Sequence, residues 1–273
     1  MDQQLLIITG ASDGIGAAAA RALAKAGNHV VIIGRSPDKT KAVATELQAP
    51  YYLADFAALD SVRSLADQLL KDFPRIDVLV NNAGGIMGTR REVTEDGHEK
   101  TFQVNHLAPF LLTTQLMDRL VASKASIITT SSVANRTFSS FNIDDLEATE
   151  KYTPFRAYGN SKLANILFSR ELDRRYHAKG IAAASFHPGV VATNFSHGSD
   201  GAMRFLYQTP LRHLLTTSQQ GADTLIWLAT TAPGNNWKYG AYYEKRKIAK
   251  AHPLAYDNNL ASELWDRSLA MLA

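Results

Sequence analysis

Leu5-Leu6-Ile7-Ile8-Thr9-Gly10-Ala11-Ser12-Asp13-Gly14-Ile15-Gly16 decides the fold class. The first five residues form an apolar run too short for a helix and suited to a strand buried on both faces. Glycines follow at Gly-x-x-x-Gly-x-Gly spacing, and Ala17 to Lys25 is alanine-rich and of high helix propensity. Strand, glycine turn and helix in that order make an anion-binding element. Glycine allows a tight turn and close backbone approach, and the helix N-terminus offers unpaired N–H groups and a positive dipole end. The spacing differs from the Gly-x-Gly-x-x-Gly dinucleotide fingerprint. Its place between a first strand and a first helix still favours a phosphate-bearing cofactor over a purely structural turn.

A second strand, His29-Val30-Val31-Ile32-Ile33, ends at Gly34-Arg35. NAD-specific domains carry an acid for the ribose 2′-hydroxyl about 20 residues past the glycines. Here the residue is Arg35, which can pair with a 2′-phosphate. Lys39 and Lys41 follow in a helix capped by Ser36 with Pro37 at its first position, where they read equally well as solvated charges. The missing acid favours NADP(H) over NAD(H). Asp13 argues mildly the other way, because its carboxylate lies in the turn.

Tyr158 and Lys162 are four residues apart in Tyr158-Gly159-Asn160-Ser161-Lys162. On a helix that spacing sets a phenol beside an ammonium on one face. A neighbouring cation favours phenolate by up to ~4 kcal/mol at ~4 Å and an effective dielectric near 20. Lys162 is therefore expected to draw the Tyr158 phenol, ordinarily near 10, down toward neutrality.

With these motifs in place, the chain resembles the short-chain dehydrogenase/reductase family over nearly its full length. Thr9 to Gly16 looks like the family's Thr-Gly-x-x-x-Gly-x-Gly turn, which implies cofactor contacts at Gly10, Ser12, Asp13, Gly14, Ile15 and Gly16. Asp55, with Phe56, falls where family members hold the adenine ring, just after Tyr51-Tyr52-Leu53. Asn81-Asn82-Ala83-Gly84 matches the family's Asn-Asn-Ala-Gly segment, which lies along the cofactor. Asn105 matches the asparagine of the proton relay, Ser132 the catalytic serine, and Tyr158 and Lys162 the Tyr-x-x-x-Lys pair. Pro188-Gly189, followed by Val191 and Thr193, resembles the loop at the nicotinamide carboxamide.

The gap from Ser132 to Tyr158 is longer than is usual in the family. This insertion, Asn135 to Arg156, is similar to that of the retinol dehydrogenase and WW-domain oxidoreductase branch. So are Val104 to Thr113, Ser161 to Asn165, Gly240-Ala241-Tyr242-Tyr243 and Leu264-Trp265. Unlike many members of that branch, this chain is expected to lack an N-terminal membrane anchor and a WW domain.

The resulting fold expectation is α/β: a single-domain Rossmann fold over residues 1–273, with a doubly wound seven-stranded parallel sheet and helices on both faces. Strands are placed near residues 4–9, 29–34, 50–53, 76–81, 125–130, 181–187 and 240–243, with a substrate lid at about 190–216. A chain of 273 residues with 45% hydrophobic content can bury one large core. The absence of cysteine excludes disulfides, thiolate metal sites and cysteine nucleophiles. No pair among the eight histidines has metal-ligand spacing, so no metal is expected. Ser132 lacks the Gly-x-Ser-x-Gly elbow of a hydrolase nucleophile. No signal peptide or stretch of transmembrane length is present, which gives a cytoplasmic default. A net charge of +3 is weak, and Lys245-Arg246-Lys247 with Lys250 reads as a solvated patch, so no nucleic-acid partner is expected.

The resemblance implies an NADP-dependent oxidoreductase acting on a carbonyl or alcohol through Ser132, Tyr158, Lys162 and Asn105. Phe138, Phe141, Phe195, Met203, Phe205 and Tyr207 are candidate lining residues and suggest a lipophilic substrate. An NAD-dependent alcohol dehydrogenase is the alternative if Arg35 is merely a surface charge. A non-catalytic NADP-sensing protein is disfavoured, because such proteins commonly lose the tyrosine or lysine kept here. Helix Phe155–Tyr176 carries apolar residues on more than one side, so a homodimer or homotetramer is expected.

Overall fold

The computed structural model of the protein describes residues 3–189 and 216–273. The strands are β1 (Leu5–Thr9), β2 (His29–Gly34), β3 (Tyr51–Leu53), β4 (Val78–Asn81), β5 (Ser126–Thr130), β6 (Ala182–His187), β7 (Tyr242–Glu244) and β8 (Lys247–Ile248). They form one sheet in the order β3-β2-β1-β4-β5-β6-β7-β8, parallel from β3 through β7. The eighth strand corrects the expected seven. β8 pairs antiparallel with β7 through a tight turn in which Lys245 and Arg246 have φ of 50° and 60°. A two-residue strand bearing a basic run has no apolar alternation, so nothing in its pattern announces it. The basic run is this hairpin, and Arg246 pairs with Asp223.

The connecting helices are α1 (Gly14–Lys25), α2 (Pro37–Leu47), α3 (Leu59–Asp72), α4 (Lys100–Phe102), α5 (Ala108–Gln115), α6 (Met117–Ala122), α7 (Ala134–Thr137), α8 (Pro154–Tyr176), α9 (Ser218–Thr230) and α10 (Asn258–Met271). A π-type turn, Gln103–Leu107, joins α4 to α5. Strand side chains alternate between the two faces, as their period of two requires. Ile7, Val31, Ile33, Leu79 and Ile127 pack against α3, α5, α8 and Trp265 of α10. Leu6, Ile8, Val30, Ile32, Val80 and Ile128 pack against α1, α2 and α9. Each such aliphatic side chain contributes about 1.5–3 kcal/mol by leaving water. The alanines at 17–20, all buried, keep α1 thin enough to lie close to the sheet.

Thr153 caps α8, its hydroxyl accepting from Arg156 N at 3.2 Å, and Pro154 occupies the first turn. Phe168 and Leu172 face the first core, while Leu163, Ile166 and Leu167 join a third cluster with Ala261 and Leu264 of α10. All five are buried inside the chain. The apolar residues of this helix are thus buried within the chain, against the sheet and α10. Among the described residues, no helix is long and apolar enough to cross a membrane. The lid segment and its expected helix over residues 202–215 lie outside the described residues.

Candidate active site

The strand order reverses between β1 and β4, and in doubly wound sheets ligands bind outside the carboxyl ends of the strands at that point. Thr9 builds this crevice. Its hydroxyl donates to Val80 O at 3.1 Å and accepts from Asn82 N at 2.9 Å and Ala83 N at 3.0 Å. Asn82 Nδ2 in turn donates to Thr9 O at 3.0 Å, and Asn82 Oδ1 accepts from Thr130 Oγ1 at 3.2 Å. One asparagine thereby ties the ends of β1, β4 and β5 together. Gly10 has φ +65°, and a Cβ there would lie 2.8 Å from Ala83 Cα. Only glycine lets the turn sit this close to β4.

Along this line runs an open cleft of about 200 Å³, lined by Gly10, Asp13, Gly14, Ile15, Asn82, Ala83, Gly84, Thr130, Ser131, Tyr158, Lys162 and Pro188. A glycine-floored trough that begins at the N-terminus of α1 and ends at a buried Tyr–Lys pair fits an extended dinucleotide. Asp13 takes the Gly14 N–H at 2.7 Å, and its other oxygen pairs with Lys39 Nζ at 2.8 Å. The carboxylate that argued against a 2′-phosphate is therefore neutralised locally. Arg35 stands exposed at the end of β2 and makes no ion pair among the described residues. Ser12 packs against Gly34 just before it, where an added Cβ would approach Ser12 Cβ to 2.8 Å. Asp55 is exposed and accepts from Ala57 N at 3.0 Å, whereas the Phe56 side chain is buried in the core and its carbonyl accepts from Gln103 Nε2 at 3.3 Å. Gly16 lies beneath the turn, where a Cβ would meet Gly10 O at 2.3 Å.

At the other end, α8 brings Lys162 Nζ to 5.5 Å from the Tyr158 ring centroid, with both side chains buried. The Ser132 hydroxyl hydrogen-bonds with Tyr158 and accepts from Ala134 N at 3.2 Å. Asn135 Nδ2 donates to Ser132 O at 2.5 Å, and Ser131 Oγ donates to Lys162 O at 2.7 Å, fixing the end of β5 against α8. Gly159 permits this closeness: a Cβ there would lie 2.8 Å from Ala134 O. The electrostatics differ from the expectation. Burial pushes the Tyr158 phenol well above its ordinary range, with the Ser132 hydrogen bond opposing it only in part. The same burial pushes Lys162 down to about 7, so the lysine does not bring the phenol to neutrality. Desolvation is the leading cause of both shifts.

Asn105 is fully buried in the π-type turn. Its Oδ1 accepts from Gly85 N and its Nδ2 donates to Gly85 O, each at 2.8 Å. Gly84, at φ +152°, makes room for it, since a Cβ there would be 2.2 Å from Asn105 Oδ1. Such π-type turns are frequent at functional sites.

Ile86, Ala134 and Phe155 pack with Tyr158. Phe138, 45% exposed, stacks on Phe155 at 5.2 Å. These make an apolar wall beside the phenol, and Ile86 and Phe155 were missed because nothing in their own spacing marks them. Phe141 packs on the third core cluster, away from Tyr158. Pro188 lines the cleft, and Gly189 lines an adjoining pocket with His187 and Thr224. Val191, Thr193, Phe195, Met203, Phe205 and Tyr207 lie outside the described residues.

The family model for short chain dehydrogenases matches residues 4–202. A Streptomyces sp. (strain C5) protein named "Putative daunorubicin C-13 ketoreductase DnrU" is 40% identical over 272 residues, covering 97% of this chain and 91% of its own. Retinol dehydrogenase 14 of Mus musculus is 34% identical over 294 residues, covering 100% of this chain and 86% of its own. Among solved structures, the Pseudomonas aeruginosa RhlG/NADP active-site complex is 26% identical with a TM-score of 0.69, covering 88% of this chain and 93% of that one.

Proposed function

This chain belongs to the short-chain dehydrogenase family, in its retinol dehydrogenase-like branch, and is an oxidoreductase; from that premise we propose that it is an NADP-dependent reductase of lipophilic carbonyls, reversible to the alcohol. The observation that carries this reading is the buried contact of Ser132 with Tyr158 beside Lys162, at the end of a cleft that starts at the glycine turn. The turn from Gly10 to Gly16 would hold the pyrophosphate, Arg35 the 2′-phosphate, and Pro188 with Gly189 the nicotinamide end. When bound, the nicotinamide supplies the hydride for reduction or accepts it in oxidation.

The chain's own residues handle the oxygen and the proton. The Ser132 and Tyr158 hydroxyls hold the carbonyl oxygen, and as negative charge develops there Tyr158 donates its proton. Burial keeps that phenol protonated, which suits the reductive direction. Lys162 stabilises the phenolate left behind. The Asn105 side chain is committed to Gly85, so any part it has in proton relay falls to its backbone carbonyl. Phe138, Phe155 and Ile86 present apolar surface beside Tyr158, which supports a lipophilic substrate. The preference for NADP is supported by the Lys39–Asp13 pair, by the exposed Arg35, and by the NADP named in the RhlG complex. Tyr158→Phe tests the reading: reduction of a panel of hydrophobic ketones and aldehydes should vanish while NADPH binding persists. Turnover by the variant at the wild-type rate would refute the assignment.

A further inference from the structure

Two buried side chains, Asn165 and His106, have no part in that chemistry. Asn165 lies three residues beyond Lys162 on α8, and its Nδ2 donates to Thr130 O at 3.1 Å. The same carbonyl accepts from Lys162 Nζ at 3.1 Å. A carbonyl oxygen has two lone pairs, and these two donors divide them. His106 follows Asn105 in the π-type turn, with its ring centroid 5.0 Å from that of Phe102 and 6.0 Å from those of Phe110 and Phe168. Its Nε2 lies 2.9 Å from Ser268 Oγ on α10.

The two atoms left over are His106 Nδ1 and Asn165 Oδ1, each buried and without a hydrogen-bond partner within bonding distance. Burial drives His106 down to about 4, and the nearby Asn165 amide partly opposes it. The ring is therefore neutral at pH 7 and carries one N–H. With the proton on Nδ1, Asn165 Oδ1 gains a donor and Ser268 donates to Nε2. With the proton on Nε2, two lone pairs would face each other in a dry core, an unsatisfied arrangement that proteins avoid.

We propose that His106 and Asn165 are positioning residues for Lys162: the Nδ1–H of His106 orients the Asn165 amide, which holds the Thr130 carbonyl and so sets where the Lys162 ammonium sits. The expected effect on rate rests on the function proposed above, but the effect on Lys162 itself does not. No carboxylate opposes burial at Lys162 among the described residues, and the Tyr158 phenol is the titratable group facing it. Freed from Asn165, Thr130 O would accept more strongly from the ammonium and favour its protonated form.

The test is a nuclear magnetic resonance titration of the Lys162 side chain in wild type, Asn165→Leu and His106→Phe, followed by NADPH titration and steady-state kinetics. Asn165→Leu keeps the volume and removes both bonds, while His106→Phe keeps the ring stack and removes the Nδ1–H together with the Nε2 contact to Ser268. The Lys162 midpoint should rise in Asn165→Leu and rise less in His106→Phe. In Asn165→Leu, kcat should fall about tenfold, the rate equivalent of one net hydrogen bond, with NADPH affinity little changed. His106→Asn, which returns an N–H near Nδ1, should bring the Lys162 midpoint back toward wild type relative to His106→Phe. An unchanged Lys162 midpoint in folded Asn165→Leu overturns the proposal; if that variant does not fold, an unchanged midpoint in His106→Phe does so. A wild-type protein that turns over no carbonyl would refute the proposed function, and the Lys162 titration would still decide this inference.

Discussion

Replacing Lys162 with methionine should stabilise the protein while ending its chemistry. Burial lowers this lysine from 10.5 to about 7. At 1.36 kcal/mol per tenfold, that corresponds to a cost of about 4 kcal/mol at pH 7 for keeping the amine in the fold. Methionine fills a similar volume without the charge. Its loss of the hydrogen bond to Thr130 O costs about 1 kcal/mol, softened because Asn165 still donates there. The net gain should be about 3 kcal/mol at pH 7. The sign of its pH dependence follows from linkage. Folded Lys162 releases its proton near 7 and the unfolded chain near 10.5, so between those values the unfolded chain binds more protons and wild-type stability rises with pH. By pH 9.5 the advantage of Lys162→Met should shrink to about zero. Urea denaturation of both proteins at pH 7.0 and 9.5 reads this directly. The interval stays below the range where the buried tyrosines Tyr158 and Tyr242, both raised by burial, would begin to matter. A variant less stable than wild type at pH 7, or an advantage that does not change with pH, would refute the reasoning.

Gly159→Val should push α7 away from α8, since even a Cβ meets Ala134 O at 2.8 Å. The expected result is a loss of about 1–3 kcal/mol of stability from overpacking, read by urea denaturation, together with a lowered kcat in a fold that still binds NADPH, read by kinetics and fluorescence titration. Lys39→Ala should unmask the Asp13 carboxylate and weaken NADPH binding severalfold, as expected for an exposed ion pair, and Asp13→Asn in the same chain should restore it. Equal weakening in the single and double variants would show that Lys39 contacts the phosphate itself.

What could be read from the chain alone was local in sequence. Leu5 to Gly16 specifies strand, turn and helix over a few residues, and the apolar strands alternate by faces as the period of two demands. Tyr158 and Lys162 were legible because four helical residues fix their relation regardless of context. Their protonation was not, because it depends on what α7, β5 and the π-type turn exclude from the pair. The Lys39–Asp13 contact joins residues 26 apart, and Asn165 reaches Thr130 across 35, distances over which no periodicity carries information. Phe141 looked like lining from its place in the insertion, yet the chain folds it onto the third core cluster. The apolar residues of α8 suggest an interface from their pattern, and within the chain they are buried against the sheet and α10. In each case the residue types were visible and the partner was not.

Titration of the purified protein with NADPH and NADH, alongside Arg35→Ala, tests the central claim most directly. A guanidinium–phosphate hydrogen bond contributes about 1.5–3 kcal/mol, so wild type should prefer NADPH by about 10- to 100-fold. Arg35→Ala should lose that preference and leave NADH affinity unchanged. Equal binding of the two nucleotides by wild type, with no effect of the substitution, would contradict the account and make Arg35 a surface charge on an NAD-linked enzyme.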